Sequence, residues 1–336
     1  MLPPLTPVTL LTSWTFDPLG AALAVALTWL YAAAVIRAHR LGARPRRLRT
    51  VAFMVLGVGT LVYATCGALA VYRTSLFWVA AVQAATLSAV TAMGLALGDP
   101  VTLAGETLGD KGARRLRSAL TGSLPRILMF PLVSSLLAVA SLIVVFFTGY
   151  LTLSVSHLLV REARYVQLLG TGLLVVLPLL GEDLLPSWCT HPVRALLGFA
   201  DGLLDAIPGV LVMTAPALLA PGVEGFSNRS WGPAPALDQR LGGGAMIAVA
   251  EVVGLPLLAA IFVSWVRADD ADARQTDAYL DAVALSAAAI NAAASHGADP
   301  AARTAPPTSP AGTEPAGPVL DRPWWESDPR FSDRRS

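Results

Sequence analysis

Charged residues and cysteines are both scarce in this chain of 336 residues. Asp, Glu, Lys and Arg make up 14% of it, against about 25% in a typical soluble domain. The 24 basic and 23 acidic residues nearly cancel, so the chain lacks the basic surplus of nucleic-acid-binding proteins. Cysteine occurs only at Cys66 and Cys189, which excludes a disulfide framework and a zinc finger. This composition argues against an ordinary soluble enzyme and against a nucleic-acid partner.

Motifs for catalysis and cofactor binding are missing as well. The sequence has no P-loop, no G-x-S-x-G, no H-E-x-x-H and no evident nucleophile–base pair, so we predict that it is not an enzyme. A glycine triplet at 242–244 is interpreted as a tight turn where a helix begins rather than as a phosphate cradle. No two histidines are spaced i, i+4, so no strong histidine-based metal site can be predicted. The four are His39, His157, His191 and His296.

Hydrophobic residues, in contrast, account for 54% of the chain, and its mean hydropathy is +0.60. They are concentrated in blocks of about 20 residues, the length at which a helix crosses the hydrocarbon core of a bilayer. We therefore predict an all-α, polytopic bundle of about seven transmembrane helices, surrounded by lipid in the cell membrane. The predicted spans are approximately 18–38, 50–72, 77–97, 127–149, 164–181, 195–220 and 245–266.

Basic residues predict the orientation of the bundle. The connections 37–49, 98–126 and 182–194 together hold 12 arginines and lysines, and the connections on the opposite side hold five. The richer side is expected to be cytoplasmic. The N-terminal segment 1–17 is then extracytoplasmic, and its opening residues have no basic region that would predict a cleaved signal peptide.

The remaining sequence divides at the last span. Residues 18–266 form the predicted transmembrane domain, and 267–336 form a cytoplasmic tail. The tail is expected to be helical at first and then disordered over 297–323, which is rich in Pro, Ala, Gly and Thr. The aromatic pair at 324–325 suits either a docking motif or an interfacial anchor, and the sequence leaves both open.

The long connection 98–126 has two possible structures. Leucines at 103, 108, 116 and 120 interleave with its basic residues. This pattern predicts either an amphipathic helix on the inner leaflet or a solvated loop.

Carboxylates inside the predicted spans are the polar residues of greatest interest. Asp201 and Asp205 lie one helical turn apart in the sixth span, and Glu251 lies in the seventh. An ionised aspartate at the centre of a membrane helix costs about 2.5–3.5 kcal/mol. These side chains are therefore expected to face protein, water or a cation. We interpret the aspartate pair as a cation or proton site, with a purely structural hydrogen-bonded pair as the alternative.

Glycines in the spans predict close packing between helices. Gly198, Gly202 and Gly209 share a stripe with the two aspartates, which predicts a small and polar seam against neighbouring helices. Gly94 and Gly98 are spaced as in a dimerisation motif, although packing within the bundle is the interpretation that we favour.

Four short strings together resemble a known family. They are Thr-Phe-Asp-Pro-Leu-Gly at 15–20, Gly-Asp-Pro-Val-Thr-Leu at 98–103, Phe-Pro-Leu-Val at 130–133, and Trp-Gly-Pro at 231–233 followed by Leu-Asp-Gln-Arg and the glycine triplet. Their order and the seven spans are similar to the CtaG family of bacterial cytochrome c oxidase assembly proteins, in its actinobacterial form. The resemblance covers about 15–267. It implies a multi-pass membrane protein that assembles with oxidase subunits or other assembly factors and is associated with copper delivery.

The histidines of that family are mostly absent here. Its third span carries H-x-x-Q-H, whereas residues 80–84 read Ala-Ala-Val-Gln-Ala and keep only Gln83. His157 is the one histidine that could correspond to the family's set. The other family histidines fall on Phe130, Arg161, Tyr165, Gln167 and Asp205.

Copper is therefore implied by the resemblance, but the side chains at these positions are poor ligands for it. Cu(I) prefers thiolate, thioether and imidazole to carboxylate. We expect no tightly bound copper, and the remaining candidate metal ligands are His157, Asp201 and Asp205, with Gln83 and Glu251 as further intramembrane polar residues.

Three functions follow as hypotheses. The protein is an oxidase-assembly protein with a degenerate metal site, a scaffold or regulatory membrane subunit that handles no metal, or a proton or cation transporter that uses the intramembrane carboxylates. The absence of an apparent inverted repeat disfavours the transporter.

The charge asymmetry makes a testable prediction about topology. A reporter fused after residue 300 is expected to be active as a cytoplasmic fusion, because 12 of the basic residues in the connections lie on that side. A fusion within the turn at 73–76 should behave in the opposite way and serves as the control. A reporter that is active only outside the cytoplasm when fused after residue 300 would contradict the seven-span arrangement.

Overall fold

A computed structural model describes residues 2–43, 45–180 and 191–296, and no strand occurs within these ranges. The chain divides into two units, residues 1–271 and 272–336, and the described part of the second unit is helical. The predicted disordered stretch at 297–323 and the aromatic pair at 324–325 lie outside the described residues.

The described residues form a series of helices that we number in chain order. Two of them, α3 and α4, each contain a π-helical segment and a short break. The helices are α1 (Pro7–Thr12), α2 (Pro18–Arg40), α3 (Arg47–Tyr72), α4 (Phe77–Thr107), α5 (Gly109–Thr121), α6 (Ser123–Leu128), α7 (Pro131–Phe147), α8 (Tyr150–Ser156), α9 (Leu158–Leu180), α10 (His191–Thr214), α11 (Glu224–Ser227) and α12 (Pro235–His296).

Six of these helices, α2, α3, α4, α9, α10 and α12, are long and apolar enough to cross a membrane. Helices α7 and α8 together pass the same test but are bent by 67° at the link between them, which makes seven spans if the pair is counted as one. The prediction of an all-α polytopic bundle of about seven spans is confirmed. The orientation of its termini stays a prediction.

The helix boundaries correct the sequence analysis at several places. Helix α10 ends at Thr214 rather than at about 220. Helix α9 begins at Leu158 rather than at about 164, because the charged side chains of its first turns have partners or lie buried within the bundle. Helix α12 begins at Pro235 rather than at about 245. The glycine triplet at 242–244 therefore lies inside a helix, and the prediction of a tight turn there was wrong.

Those glycines serve close contact between helices instead. A Cβ atom on Gly243 would stand 2.5 Å from the carbonyl oxygen of Gly209 in α10, and one on Gly242 would stand 2.8 Å from the Phe77 ring in α4. Because neither glycine has a side chain, α12 packs directly against the backbones of both helices.

The 94–98 glycine pair likewise packs within the chain. A Cβ on Gly94 would lie 2.2 Å from the backbone nitrogen of Gly57 in α3, and one on Gly98 would lie 2.6 Å from the Phe53 ring. The predicted role in packing inside the bundle is confirmed.

The predicted seam on α10 is only partly present. Gly209 makes the close approach to α12, and Gly198 lies at ordinary contact distance, 3.5 Å, from Ile261. Gly202 has no neighbour within 4 Å and so contributes no close contact.

The connection between α4 and α7 is helical, as the first of its two predicted structures requires, and its position on the inner leaflet stays a prediction. Helices α5 and α6 cover residues 109–121 and 123–128. A solvated, irregular loop is excluded for these residues.

Successive spans run in opposite directions, so the helix starts and ends lie in two groups. We name the two ends of the bundle after Asp17 and Asp99. The Asp17 end holds the start of α2, the α3–α4 turn and the link between α8 and α9, as the 2.9 Å ion pair between Asp17 and Arg161 shows. The Asp99 end holds the end of α2 and the starts of α3 and α7. There Tyr31 donates to the carbonyl of Gly98 at 2.9 Å, and Arg49 pairs with Asp99 at 2.6 Å.

Aspartates begin two of the helices in the strings that resemble the family. The Asp17 carboxylate accepts the backbone N–H of Gly20 at 2.9 Å and caps α2 before Pro18. Asp99 adopts a left-handed conformation, φ +50°, and accepts from Thr102 at the start of the helical segment Pro100–Thr107. Both positions favour aspartate, because its short side chain accepts hydrogen bonds from the unpaired N–H groups at the start of a helix.

A third aspartate, Asp238, joins separate parts of the fold. Its carboxylate accepts the backbone N–H groups of Phe77 at 2.8 Å and Trp78 at 3.0 Å, and so caps α4 from the first turn of α12. The same carboxylate pairs with Arg229 at 2.9 Å, and the Asp238 side chain is completely buried. The Arg229 guanidinium in turn donates to the carbonyl of Ser75 at 3.1 Å in the α3–α4 turn.

The neighbouring Gln239 fixes the end of α10. Its side-chain oxygen accepts the N–H of Leu219 at 2.7 Å, and its amide nitrogen donates to the carbonyl of Ala217 at 3.1 Å. The last carbonyls of a helix have no partner within the helix, and the segment after α10 is irregular, so a side-chain amide with both donors and acceptors suits this place.

Substituting Asp238→Asn is expected to destabilise the protein by about 3–5 kcal/mol, because it leaves the buried Arg229 charge unpaired. Thermal unfolding of the purified protein in detergent measures the effect. Asp270→Asn, an exposed aspartate on the same helix, is the matched control and should leave the unfolding midpoint unchanged. Equal midpoints for the two variants would contradict the proposed role of Asp238.

Candidate functional site

A buried polar cluster surrounds Gln83. This side chain is completely buried, and its amide nitrogen donates to the carbonyl of Ala64 at 2.6 Å and to the hydroxyl of Tyr165 at 3.1 Å. Its amide oxygen accepts from Arg164 at 2.9 Å. Gln83 thus links α3, α4 and α9, and all of its contacts are made inside the bundle.

Arg164 brings a positive charge into this cluster. Its side chain is only 1% exposed, and its guanidinium lies 5.3 Å from the centre of the Tyr165 ring, within the range of a cation–π interaction. No carboxylate pairs with it among the described residues, and its Nε and Nη1 atoms have no hydrogen-bond partner there. A buried arginine with one neutral hydrogen-bond partner is unusual, since charged residues are rarely buried without a counter-ion.

A second buried arginine lies nearby in the α3–α4 turn. Arg73 is 8% exposed, its Nε and Nη1 atoms are also unpartnered in the described residues, and it lies within electrostatic range of Arg164. Burial lowers the pKa of the Arg73 guanidinium, and the hydroxyl of Tyr165 and the carboxylates of Asp17 and Glu162 oppose this shift. The two arginines together make this part of the bundle electropositive.

The carboxylates closest to these two arginines form ion pairs with a third arginine. Arg161 pairs with Asp17 at 2.9 Å and with Glu162 at 3.1 Å. All three side chains are largely buried at the Asp17 end of the bundle. This ion pair fixes the start of α9 against the start of α2.

The predicted aspartate pair lines a different cavity. Asp201 and Asp205 border a small space of about 60 Å³ between α4, α7, α9, α10 and α12, whose other walls are mostly apolar. Asp201 is buried and accepts a hydrogen bond from the hydroxyl of Ser135 in α7. Asp205 is half-buried and has no hydrogen-bond partner among the described residues. Ser88 and the side chains of Met93 and Met246 also line this cavity.

The other candidate metal ligands lie elsewhere. His157 is exposed in the link between α8 and α9, at the Asp17 end of the bundle. Ser135, which contacts Asp201, lies near the start of α7, at the Asp99 end. The structure therefore brings Asp201 and Asp205 together but leaves His157 apart. Glu251 is exposed on α12 and does not border the cavity. No group of three or more His, Cys, Asp or Glu side chains in the described residues is arranged to hold a metal ion.

Sequence reasoning singled out Gln83 but missed Arg73 and Arg164. It placed Arg164 at the edge of a span, where hydropathy treats an arginine as part of a loop. The one available signal was the spacing of Arg161, Glu162 and Tyr165, which indicates a helix with polar residues on more than one face.

Comparison with known proteins now bears on the whole bundle. Residues 29–268 match the family of cytochrome c oxidase caa3 assembly factors. The chain belongs to this family. The resemblance drawn from the short strings is confirmed, although the string at 15–20 lies before the matched range.

The curated relatives of this assembly-factor family member are mycobacterial. An uncharacterized protein of Mycobacterium bovis and one of Mycobacterium tuberculosis are each 29% identical to it over 279 residues, and one of Mycobacterium leprae is 27% identical over 278. The matches cover 81% of this chain but only 42% of each relative, so the chain spans about two fifths of their length. No solved structure matches it.

The family resemblance places imidazoles at residues 80 and 84, on either side of Gln83. In this chain both positions are alanines that are at most 1% exposed, and the neighbouring Gln83 binds Arg164. A metal cation at this place would meet a buried guanidinium charge and no soft ligand. The residues present do not fit a copper ion.

We predict that the purified protein binds Cu(I) far more weakly than a relative with both histidines. The double substitution Ala80→His and Ala84→His places two imidazoles one turn apart and is expected to raise the Cu(I) affinity, at a cost in stability because both positions are buried. Competition with a chelator of known affinity measures this.

The matched control is Ala80→Asn with Ala84→Asn, which adds polar side chains at the same two buried positions but no imidazole. It should carry a similar stability cost without the gain in affinity. Tight one-to-one copper in the unmodified protein would contradict the prediction.

Proposed function

We propose that this protein supports assembly of cytochrome c oxidase as a membrane-embedded partner whose metal site is degenerate. Membership in the family supports the assembly role. The observation that carries the rest is the buried Gln83–Arg164 hydrogen bond, which puts a guanidinium where the family resemblance implies imidazoles. Its partners are then oxidase subunits or other assembly factors, and its location is the cell membrane.

A scaffolding role fits the distribution of polar groups. The strings shared with the family supply helix caps and clamps, through Asp17, Asp99, Asp238 and Gln239. These residues preserve the bundle, while the positions of the implied ligands have changed. Such a chain keeps the surface that a partner recognises and loses the chemistry of the metal site. We propose on the same grounds that it is not an enzyme.

The surface available to a partner lies on the helices that are least enclosed. Only 11% of the most apolar part of α12 is buried, and 17% of the corresponding parts of α2 and α10. Large apolar side chains on α12, such as Leu255 and Phe262, are more than half exposed. Lipid or a partner helix covers such surfaces in a membrane.

The aspartate cavity supports a second candidate function, the handling of a proton or cation. Two carboxylates on one turn inside a bundle are costly unless they are protonated or bound to a cation. Glu251 lies outside this cavity, which removes it from any chain of carboxylates there. If copper is bound after all, Met93 and Met246 make this cavity the place to look for it, since thioethers select Cu(I).

Deletion of the gene is expected to lower the oxidase activity of isolated membranes, and the intact chain should restore it. The double variant Ala80→His and Ala84→His is not expected to restore more than the wild type does, because the proposal assigns no metal step to this place. Unchanged oxidase activity in the deletion strain would refute the assembly role.

The variant Asp205→Asn, expressed in the same strain, tests the second candidate function. Its amide keeps hydrogen bonding but cannot carry charge, so handling of a proton or cation would be abolished while the amount of protein in the membrane stays normal. We expect this loss. Glu251→Gln, an exposed carboxyl on α12, is the control and should complement fully. Full oxidase assembly with Asp205→Asn would leave the aspartates with a structural role only.

A further inference from the structure

Two buried arginines near Gln83, Arg73 and Arg164, have guanidinium nitrogens that lack a hydrogen-bond partner in the described residues. The atoms concerned are Nε and Nη1 of each side chain, four nitrogens in all. Both side chains are more than nine-tenths buried. A buried donor that stays unpaired costs about 1–3 kcal/mol, and a charged one costs more. A structure retains such groups when something else satisfies them.

The charges around the two arginines show which sign is missing. The ionisable groups that face them are Arg161, Asp17 and Glu162, and the last two are already paired with Arg161. With all five groups ionised, three positive charges face two negative ones. One monoanion would balance the cluster.

The other side chains that approach the cluster supply no counter-charge. Tyr150 and Tyr165 lie close to Arg164, and Gln83 offers it one amide oxygen. Asp238, the next buried carboxylate at this end of the bundle, is taken up by Arg229 and the start of α4. None of these three carboxylates, Asp17, Glu162 and Asp238, is left to pair with the arginines.

Guanidinium groups favour a particular class of anion. Their planar array of N–H donors matches the oxygen atoms of carboxylates and phosphates, and hydrogen bonds between ionised partners are about twice as strong as neutral ones. We propose that Arg73 and Arg164 form a binding site for a small oxyanion, a carboxylate or a phosphate group, at the Asp17 end of the bundle. The proposal concerns the isolated protein and does not depend on the role in oxidase assembly.

The position of Arg73 gives the site an approach from solvent. Arg73 lies in the turn between α3 and α4, at the end of the bundle, and keeps 8% of its surface exposed, whereas Arg164 lies two turns inside α9. An oxyanion that enters from this end meets Arg73 first.

The experiment measures thermal unfolding of the full chain, purified in an uncharged detergent, at constant ionic strength. Sodium formate and inorganic phosphate are titrated against sodium chloride. Either oxyanion is expected to raise the unfolding midpoint with the logarithm of its concentration, by about 3 °C at ten times its dissociation constant. Reconstitution into discs with or without phosphatidylglycerol forms a separate arm. A shift that occurs only with phosphatidylglycerol supports the site and identifies a lipid phosphate as its source.

Two substitutions assign the effect to the arginines. Arg73→Gln removes one guanidinium at the end of the bundle and should weaken the apparent oxyanion affinity by at least about tenfold. Arg164→Lys keeps the charge but loses the planar donor array and should weaken it as well. If Arg164→Lys fails to fold, Arg73→Gln decides alone. The control, Arg47→Gln, alters an exposed arginine at the Asp99 end and should behave as the wild type does.

Three results would overturn the proposal. They are the absence of a concentration-dependent shift with any of the oxyanion probes or phosphatidylglycerol, an equal shift with chloride, and an undiminished shift in Arg73→Gln.

Discussion

The carboxylate of Asp238 is the constraint on which the arrangement of the helices depends. A transmembrane helix starts with N–H groups that have no partner within the helix, and lipid supplies none. Asp238 satisfies two of these groups at the start of α4 while its charge is balanced by Arg229. Since Asp238 belongs to α12 and Arg229 also holds the α3–α4 turn, one buried ion pair determines how the last span meets the third. Gly242 then allows the two helices to approach as closely as that ion pair requires.

Much of this fold could be predicted from the sequence because lipid imposes a length and an apolar composition on each span. Hydropathy located all seven hydrophobic blocks, and the short strings identified the family. The boundaries of α9 and α12 could not be predicted in the same way. Hydropathy assigns Arg161, Glu162 and Arg164 to a loop, and only tertiary pairing shows that a helix can contain them. The glycine triplet was misread for a related reason, since its partner surfaces on α4 and α10 are distant in sequence.

The sequence predicts which histidines the candidate site lacks, but not the arginine that takes their place. Comparison of residues 80–84 with the family pattern shows that two imidazoles are missing, and this needs no structure. That Gln83 is retained to bind a guanidinium from α9 depends on which face of α4 meets which turn of α9, and no pattern in the sequence reports this. The aspartate pair was found by its cost in a membrane. Its hydroxyl partner, Ser135, lies 66 residues away and could not be identified beforehand.

The side chains of the arginine cluster and of the aspartate cavity have charges of opposite sign when ionised, but the two sites are too far apart to neutralise each other. Gln83 and Ser88 lie five residues apart on α4, and Arg164 and Gly172 eight residues apart on α9, which separates the two sites by roughly 8–12 Å along the helices. At an effective dielectric constant of about 20, unit charges about 10 Å apart attract by about 1.7 kcal/mol. Burying a single ion costs several kcal/mol. The attraction between the sites is too weak to offset that cost at either of them, and it forms no hydrogen bonds. Each site therefore needs a partner of its own. Asp201 has the hydroxyl of Ser135. In the arginine cluster, Arg161 has the carboxylates of Asp17 and Glu162, whereas Arg164 has only the amide of Gln83.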